Sequence, residues 1–196
     1  MPSFHIRNFC PGDEPALRAV FHASVHGLAC KDYTGEQLAA WAPLEHDAAQ
    51  WAERMRANQP FIAQAIDGGA IAGFADLQAS GTIDMFFVAP AFAGQGVARA
   101  LMAHLHAQAA QRGITRLNAH VSLTAEPFFA AQGFAVEARQ QVERAGVVLH
   151  NARMAKELQR VGRVVGREGR MTERVRLDGD AGAWSTSVQS INSLID

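Results

Sequence analysis

The chain is poor in cysteine, in tyrosine and in net charge. Two cysteines among 196 residues, Cys10 and Cys30, cannot build a disulfide framework, and with no second pair at ligand spacing they cannot build a zinc knuckle. They read as free thiols of a reducing compartment. One tyrosine, Tyr33, stands against eleven phenylalanines, so chemistry that needs a phenol has a single candidate. Eighteen Lys and Arg face nineteen Asp and Glu, a formal net charge of -1, which argues against a globally basic nucleic-acid binder. No eighteen apolar residues run together, so no segment reads as a membrane-spanning helix. The opening Met1-Pro2-Ser3-Phe4-His5 lacks a basic stretch followed by an apolar one. The expectation is a cytoplasmic protein with neither nucleic acid nor membrane as partner. What the chain has in quantity is apolar side chain: 48% hydrophobic residues against 19% charged can fill the core of one ordinary domain.

Residues 3–9 alternate apolar and polar as a half-buried strand does. Pro11-Gly12-Asp13 ends that strand and offers Asp13 as a helix cap, after which Leu17, Val20, Phe21, Ser24 and Leu28 keep helical spacing. A second helical region runs from about Thr34 to Asn58, broken in two by Pro43. Strands at 61–67 and 70–78 flank a turn at Asp67-Gly68-Gly69. Thr82 to Val88 reads as one further strand, stopped at Pro90; Ala93-Gly94-Gln95-Gly96 then opens into a helix from about Val97 to Arg112 that Gly113 closes. Leu117 to Leu123 is a strand, Thr124 can cap a short helix through Gln132, and strands at about 134–143 and 147–156 flank Arg144-Ala145-Gly146. This order predicts a mixed α/β (α+β) domain over 1–158, with a mostly antiparallel sheet of six to seven strands and about four helices, not regular βαβ winding. Beyond Leu158 six arginines, five acids and five glycines crowd residues 159–196. That segment is expected to be a tail, mobile or docking, and a candidate surface for a homodimer.

The strand–loop–helix at 82–105 carries the chemistry. Small residues at Gly94 and Gly96 let an anionic group approach the backbone. The first N–H groups of the following helix have no intrahelical partner, and the helix dipole favours negative charge there. A Walker loop is excluded because no Gly-Lys-Ser/Thr follows, and the dinucleotide fingerprint fails at its third glycine. For proton transfer the residues leave alternatives open. Asp84 shares a face with Phe86 and Val88 by the two-residue period of a strand, and His120 shares one with Asn118 and Ser122. Glu126, in a first helical turn, reads as a dipole-compensating surface acid. Tyr33 is the phenol available for an acid or substrate-contacting role, and Trp41 is core or pocket wall. The pairs His22/His26 and His104/His106 lack a third ligand, so no metal is expected.

Val88-Ala89-Pro90 followed by Ala93-Gly94-Gln95-Gly96-Val97-Ala98, and Pro127-Phe128-Phe129-Ala130-Ala131-Gln132-Gly133-Phe134, resemble the two signatures of the GNAT superfamily of N-acetyltransferases. Tyr33-Thr34, Ala40-Trp41-Ala42, Ile83-Asp84-Met85 and Thr124-Ala125-Glu126-Pro127 are similar to its YafP-like bacterial branch. The resemblance covers about residues 3–158. It implies a transferase that uses acetyl-CoA as co-substrate and acetylates a primary amine of a small molecule or peptide by direct attack in a ternary complex. It implies a cofactor site made of Phe86, Phe87, Val88, Ala93, Gly94, Gln95, Gly96, Val97, Ala98, Arg99, Ser122, Phe128 and Phe129. The N–H of Val88 would face the thioester oxygen where two strands splay, with Tyr33, Trp41 and Asp84 toward the acceptor. Two departures stand out: Ala93 replaces the Arg or Gln that usually starts the loop, and Phe129 replaces a tyrosine proposed to protonate the leaving thiolate. The second keeps a non-catalytic acyl-CoA-binding or sensing module as the alternative. Trp41, Glu45, Asp47 and Glu53 hint at a cationic acceptor, unless the acids are simply solvated.

Overall fold

A computed structural model describes residues 4–158. The expected tail at 159–196 lies outside the described residues. Eight strands and five helices follow in the order β1 (Phe4–Asn8), α1 (Glu14–Leu28), α2 (Gly35–Trp41), α3 (Ala48–Asn58), β2 (Phe61–Ala65), β3 (Ile71–Ala75), β4 (Thr82–Ile83), β5 (Phe86–Val88), α4 (Val97–Arg112), β6 (Arg116–Ser122), α5 (Glu126–Ala131), β7 (Ala135–Arg144) and β8 (Val147–Glu157). The count exceeds expectation for one reason: the stretch read as a single strand over 82–88 is two. β5 joins an antiparallel sheet ordered β1-β2-β3-β5, whereas β4 joins a second sheet ordered β4-β6-β8-β7, where it runs parallel to β6. The second helical region is two helices separated around Pro43, as its proline demands.

Alternation along the strands sorts the apolar residues onto two faces. Phe61, Ala63, Ile83, Leu117 and Met154 pack with Leu101, Met102 and Leu105 of α4. Ile62, Phe74 and Met85 pack with Leu17 and Val20 of α1 and Met55 of α3. A third cluster joins Val25, Tyr33 and Leu38 to Leu149 of β8. Helices α1 to α3 therefore cover one face and α4 the other.

Two expected caps are not formed. The Asp13 carboxylate is held by Arg7 at 2.7 and 2.8 Å and by the N–H of Cys10 at 2.8 Å, so it caps nothing in α1. Thr124 donates to Asp32 Oδ2 at 2.7 Å, and α5 has no side-chain cap. A guanidinium and a neighbouring carboxylate outcompete the helix amides for these side chains. Thr34 does cap α2, in a reciprocal box with Gln37.

Candidate active site

Between β4 and β5 lie Asp84 and Met85, and a buried carboxylate holds them. Asp76 Oδ1 accepts the N–H of Asp84 and of Met85, each at 2.8 Å; its Oδ2 accepts from Asn58 Nδ2 at 2.5 Å and Gln78 Nε2 at 2.9 Å. These two N–H groups would otherwise continue a ladder, so Asp76 ends β4, starts β5 and parts the two sheets. Burial, with the Asp84 charge nearby, raises its carboxyl from 3.8 to about 6. The folded state thus binds the proton more tightly than the unfolded chain does. Stability from this group is full below pH 3.8 and is lost as pH rises to about 6. Asp76→Ala is expected to cost about 2 kcal/mol or more, since it leaves the buried N–H of Met85 and the half-buried N–H of Asp84 unpaired. Asp76→Asn keeps an acceptor and is expected to remove the slope between pH 4 and 6 that wild type shows. Denaturant melts across that range check both, and an unchanged slope in Asp76→Asn would deny Asp76 this titration.

The parted strands open a cavity of about 760 Å³. The expected cofactor residues Phe86, Phe87, Val88, Ala93, Gly94, Gly96, Val97, Ala98, Arg99, Ser122, Phe128 and Phe129 all line it. Gln95 does not: its Nε2 turns back to the carbonyl of Ala91 at 2.8 Å. Gly94 and Gly96 take φ of 73° and 88°, the left-handed region that glycine enters at little cost, and space is open where a Cβ would stand. Gly96 is the N-cap of the 16-residue α4 and no side chain caps it. The first-turn amides are thus left to an anion, and a pyrophosphate fits this cradle. Further along, Ala89 N–H donates to Ala72 O at 2.9 Å, so by strand alternation the N–H of Val88 points away from β3 into the opening. Phe129, 3% exposed, packs edge-on against Phe86, Phe128 and Phe134 and brings no proton.

A second cavity of about 740 Å³ lies on the α1–α3 side, and Trp41, Asp84, Phe87, His120 and Ser122 line both. The proton-transfer candidates separate here. Asp84 does not share the face of Phe86 and Val88, because the break resets the period: Ile83 and Phe86 pack on the α4 side, Met85 on the other. Its Oδ2 takes Arg54 and Asn58 of α3, each at 2.8 Å. Tyr33 is buried, and its hydroxyl donates to His150 O at 2.6 Å and accepts the N–H of Leu123 at 3.0 Å. Burial raises its pKa above 10.0, so the phenol is a worse acid than free tyrosine. Tyr33 pins β8 to the β6–α5 turn. Tyr33→Phe is expected to lower stability by about 1–2 kcal/mol while kcat changes little. A large kcat loss at unchanged melting temperature would return Tyr33 to the chemistry.

Among the described residues His120 has a hydrogen-bond partner for one ring nitrogen only. Its Nδ1 sits 2.7 Å from Gln140 Oε1, an acceptor, so Nδ1 carries the proton and Nε2 the lone pair. Ser122 Oγ accepts the N–H of Ala125 at 3.2 Å and keeps its own proton to give. Sequence reasoning had no signal for Asp76, Arg54 or Asn58, which meet only in the fold. Among the described residues no three His, Cys, Asp or Glu gather to hold a metal ion.

Residues 29–158 match the profile of the acetyltransferase (GNAT) domain. The chain is 34% identical over 151 residues to the uncharacterised N-acetyltransferase YafP of Escherichia coli K12, covering 77% of this chain and 94% of that protein. A GCN5-related N-acetyltransferase from Rhodopseudomonas palustris superposes with a TM-score of 0.75 at 34% identity, over 81% of this chain and 98% of the other. The PaiA N-acetyltransferase of Thermoplasma acidophilum, solved with coenzyme A, shares the fold at a TM-score of 0.61 and 16% identity, over 79% of this chain and 99% of its own. With the parted strands, the glycine cradle and these likenesses together, the chain belongs to the GNAT acetyltransferases.

Proposed function

We propose that this acetyltransferase acts on a primary amine of a small molecule or peptide, by direct attack within a ternary complex. The observation that carries the reading is the junction: two cavities open onto one set of residues, so a cofactor and an acceptor can meet there without an enzyme-bound acyl group. Acetyl-CoA, when bound, supplies a thioester whose carbonyl carbon is electrophilic and whose sulfur leaves as a thiolate.

The residues then have separate tasks. The amides from Gly94 to Ala98, with Arg99 beside them, hold the pyrophosphate. The N–H of Val88 donates to the carbonyl oxygen as charge builds there, a contact that no side-chain substitution removes. His120 Nε2 accepts the proton of the attacking amine, directly or through one water. Asp84, tied to Arg54 and Asn58, shapes the junction instead of taking that proton. Ser122 offers the hydroxyl proton that Phe129 cannot, and Trp41 walls the acceptor side.

Full-length protein with acetyl-CoA and a pooled amine and peptide panel, read by mass spectrometry, tests the reading. Acetylated products are expected. Acetyl-CoA binding with no transfer to any acceptor would leave the sensing module, which the hydroxyl-free Phe129 favours. No binding of acetyl-CoA would overturn both.

A further inference from the structure

Among the described residues Arg18 is a charge without a counter-ion. It lies on α1 with 6% of its surface exposed. Its guanidinium stands 5.1 Å over the ring of Phe21 and 5.8 Å from that of Trp51, and Nη2 donates to the carbonyl of Pro43. No carboxylate of the described residues pairs with it. The acids nearby are committed elsewhere. Glu14 takes Arg56 and the N–H of Gly12, Asp47 takes the N–H groups of Ala49 and Gln50, and Asp84 takes Arg54 and Asn58. Burial lowers the Arg18 pKa below its ordinary value, and no carboxylate of the described residues counters it. Buried arginines are ordinarily paired, because removing such a charge from water is costly and its five donors seek acceptors.

Arg18 lines the second cavity, and so do His120 and Ser122 at the junction. Aromatic rings wall the same cavity: Phe21 is 5.5 Å from Trp51 and 4.8 Å from Phe87, and Phe87 is 6.4 Å from Trp41. Resting on the reading of this cavity as the acceptor site, we propose that the acceptor is an aminocarboxylate with an apolar body, whose carboxylate Arg18 binds while its amine faces His120. The amino acids with apolar side chains and the aminobenzoates belong to this class. The cationic acceptor hinted at by Glu45, Asp47 and Glu53 is not what the cavity selects. Glu45 and Glu53 do not line it, and Asp47 spends its carboxylate on the amides of α3. A carboxylate on the guanidinium forms charge-assisted, bidentate hydrogen bonds.

The test compares the proteinogenic amino acids and the aminobenzoic acids, each beside its amide, as acceptors for the full-length protein. Free acids are expected to exceed their amides in kcat/KM by about 10- to 100-fold, the usual worth of a hydrogen-bonded charge. Arg18→Gln is expected to bring that ratio close to one by lowering the acids alone, with acetyl-CoA affinity unchanged, and Arg18→Lys to keep part of it. An Arg18 that only ties α1 to Pro43 would lower acids and amides together and leave the ratio intact, which overturns the proposal. Amides equal to acids in wild type overturn it without any variant, should Arg18→Gln fail to fold. Transfer to carboxylate-free amines alone overturns it while sparing the acetyltransferase reading. Acetyl-CoA binding with no transfer to any amine overturns that reading and the acceptor assignment with it.

Discussion

His120→Gln is expected to lower kcat by about 10²- to 10⁴-fold, the range over which a positioned general base contributes, and to leave acetyl-CoA affinity unchanged. Gln140 Oε1 accepts the hydrogen bond of Nδ1–H, so in the neutral ring the other nitrogen, Nε2, has the lone pair. Glutamine is of similar length and polarity but cannot accept and carry a proton. Asp84→Asn is the control. Its Oδ2 already receives Arg54 and Asn58, so losing its charge disturbs the junction without removing the base, and a smaller loss of kcat is expected. A larger fall in Asp84→Asn than in His120→Gln would exchange the two roles. Gln140→Leu supplies a third reading: it frees the tautomer, so kcat should fall partway while KM for acetyl-CoA holds.

Much of this was legible in the sequence, and the parts that were not share a cause. Periodicity and punctuation placed the elements because local rules govern them: Pro43 splits a helix, Gly113 closes one, and the hairpin over 135–157 turns at Ala145-Gly146. The glycine loop and the helix it opens into were legible because one contiguous stretch supplies them. What failed were inferences that carry a local period across a break. Asp84 was placed by the two-residue alternation of a strand, yet the strand ends beside it, and it ends because of Asp76, eight residues earlier and itself inside the fold. Tyr33 was a candidate acid because it is the only phenol. Nothing local reveals that its hydroxyl meets the carbonyl of His150, 117 residues away. Arg18 left no trace at all. In an amphipathic helix an arginine between Leu17 and Val20 reads as solvated, and only the packing of Trp51 and Phe21 around it shows otherwise.

Gly96→Glu is expected to cost on the order of 100-fold or more in acetyl-CoA affinity while sparing the fold. Three contributions separate. The first is backbone strain: a residue with a Cβ at φ 88° costs about 1–2 kcal/mol, and this part is shared with Gly96→Ala. The second is space, which is not at issue, since a Cβ at this position meets nothing within 4 Å. The third is charge. The new carboxylate sits at the positive end of α4, where the first-turn amides satisfy it, and this interaction offsets part of the strain. A pyrophosphate arriving at those amides then meets an occupied donor set and a like charge, a juxtaposition worth several kcal/mol. Gly96→Ala should therefore lose roughly tenfold at most, and Gly96→Glu far more, at similar melting temperatures. Titration calorimetry with acetyl-CoA and with a dephosphorylated pantetheine thioester makes the comparison. The thioester lacks the pyrophosphate, so its weaker binding should be the same in Gly96→Glu and in Gly96→Ala. Raising the salt should narrow the gap for acetyl-CoA, because the repulsion lies at an exposed loop and is screened there. Affinity retained in Gly96→Glu would move the phosphates away from α4 and undo the assignment of the cradle.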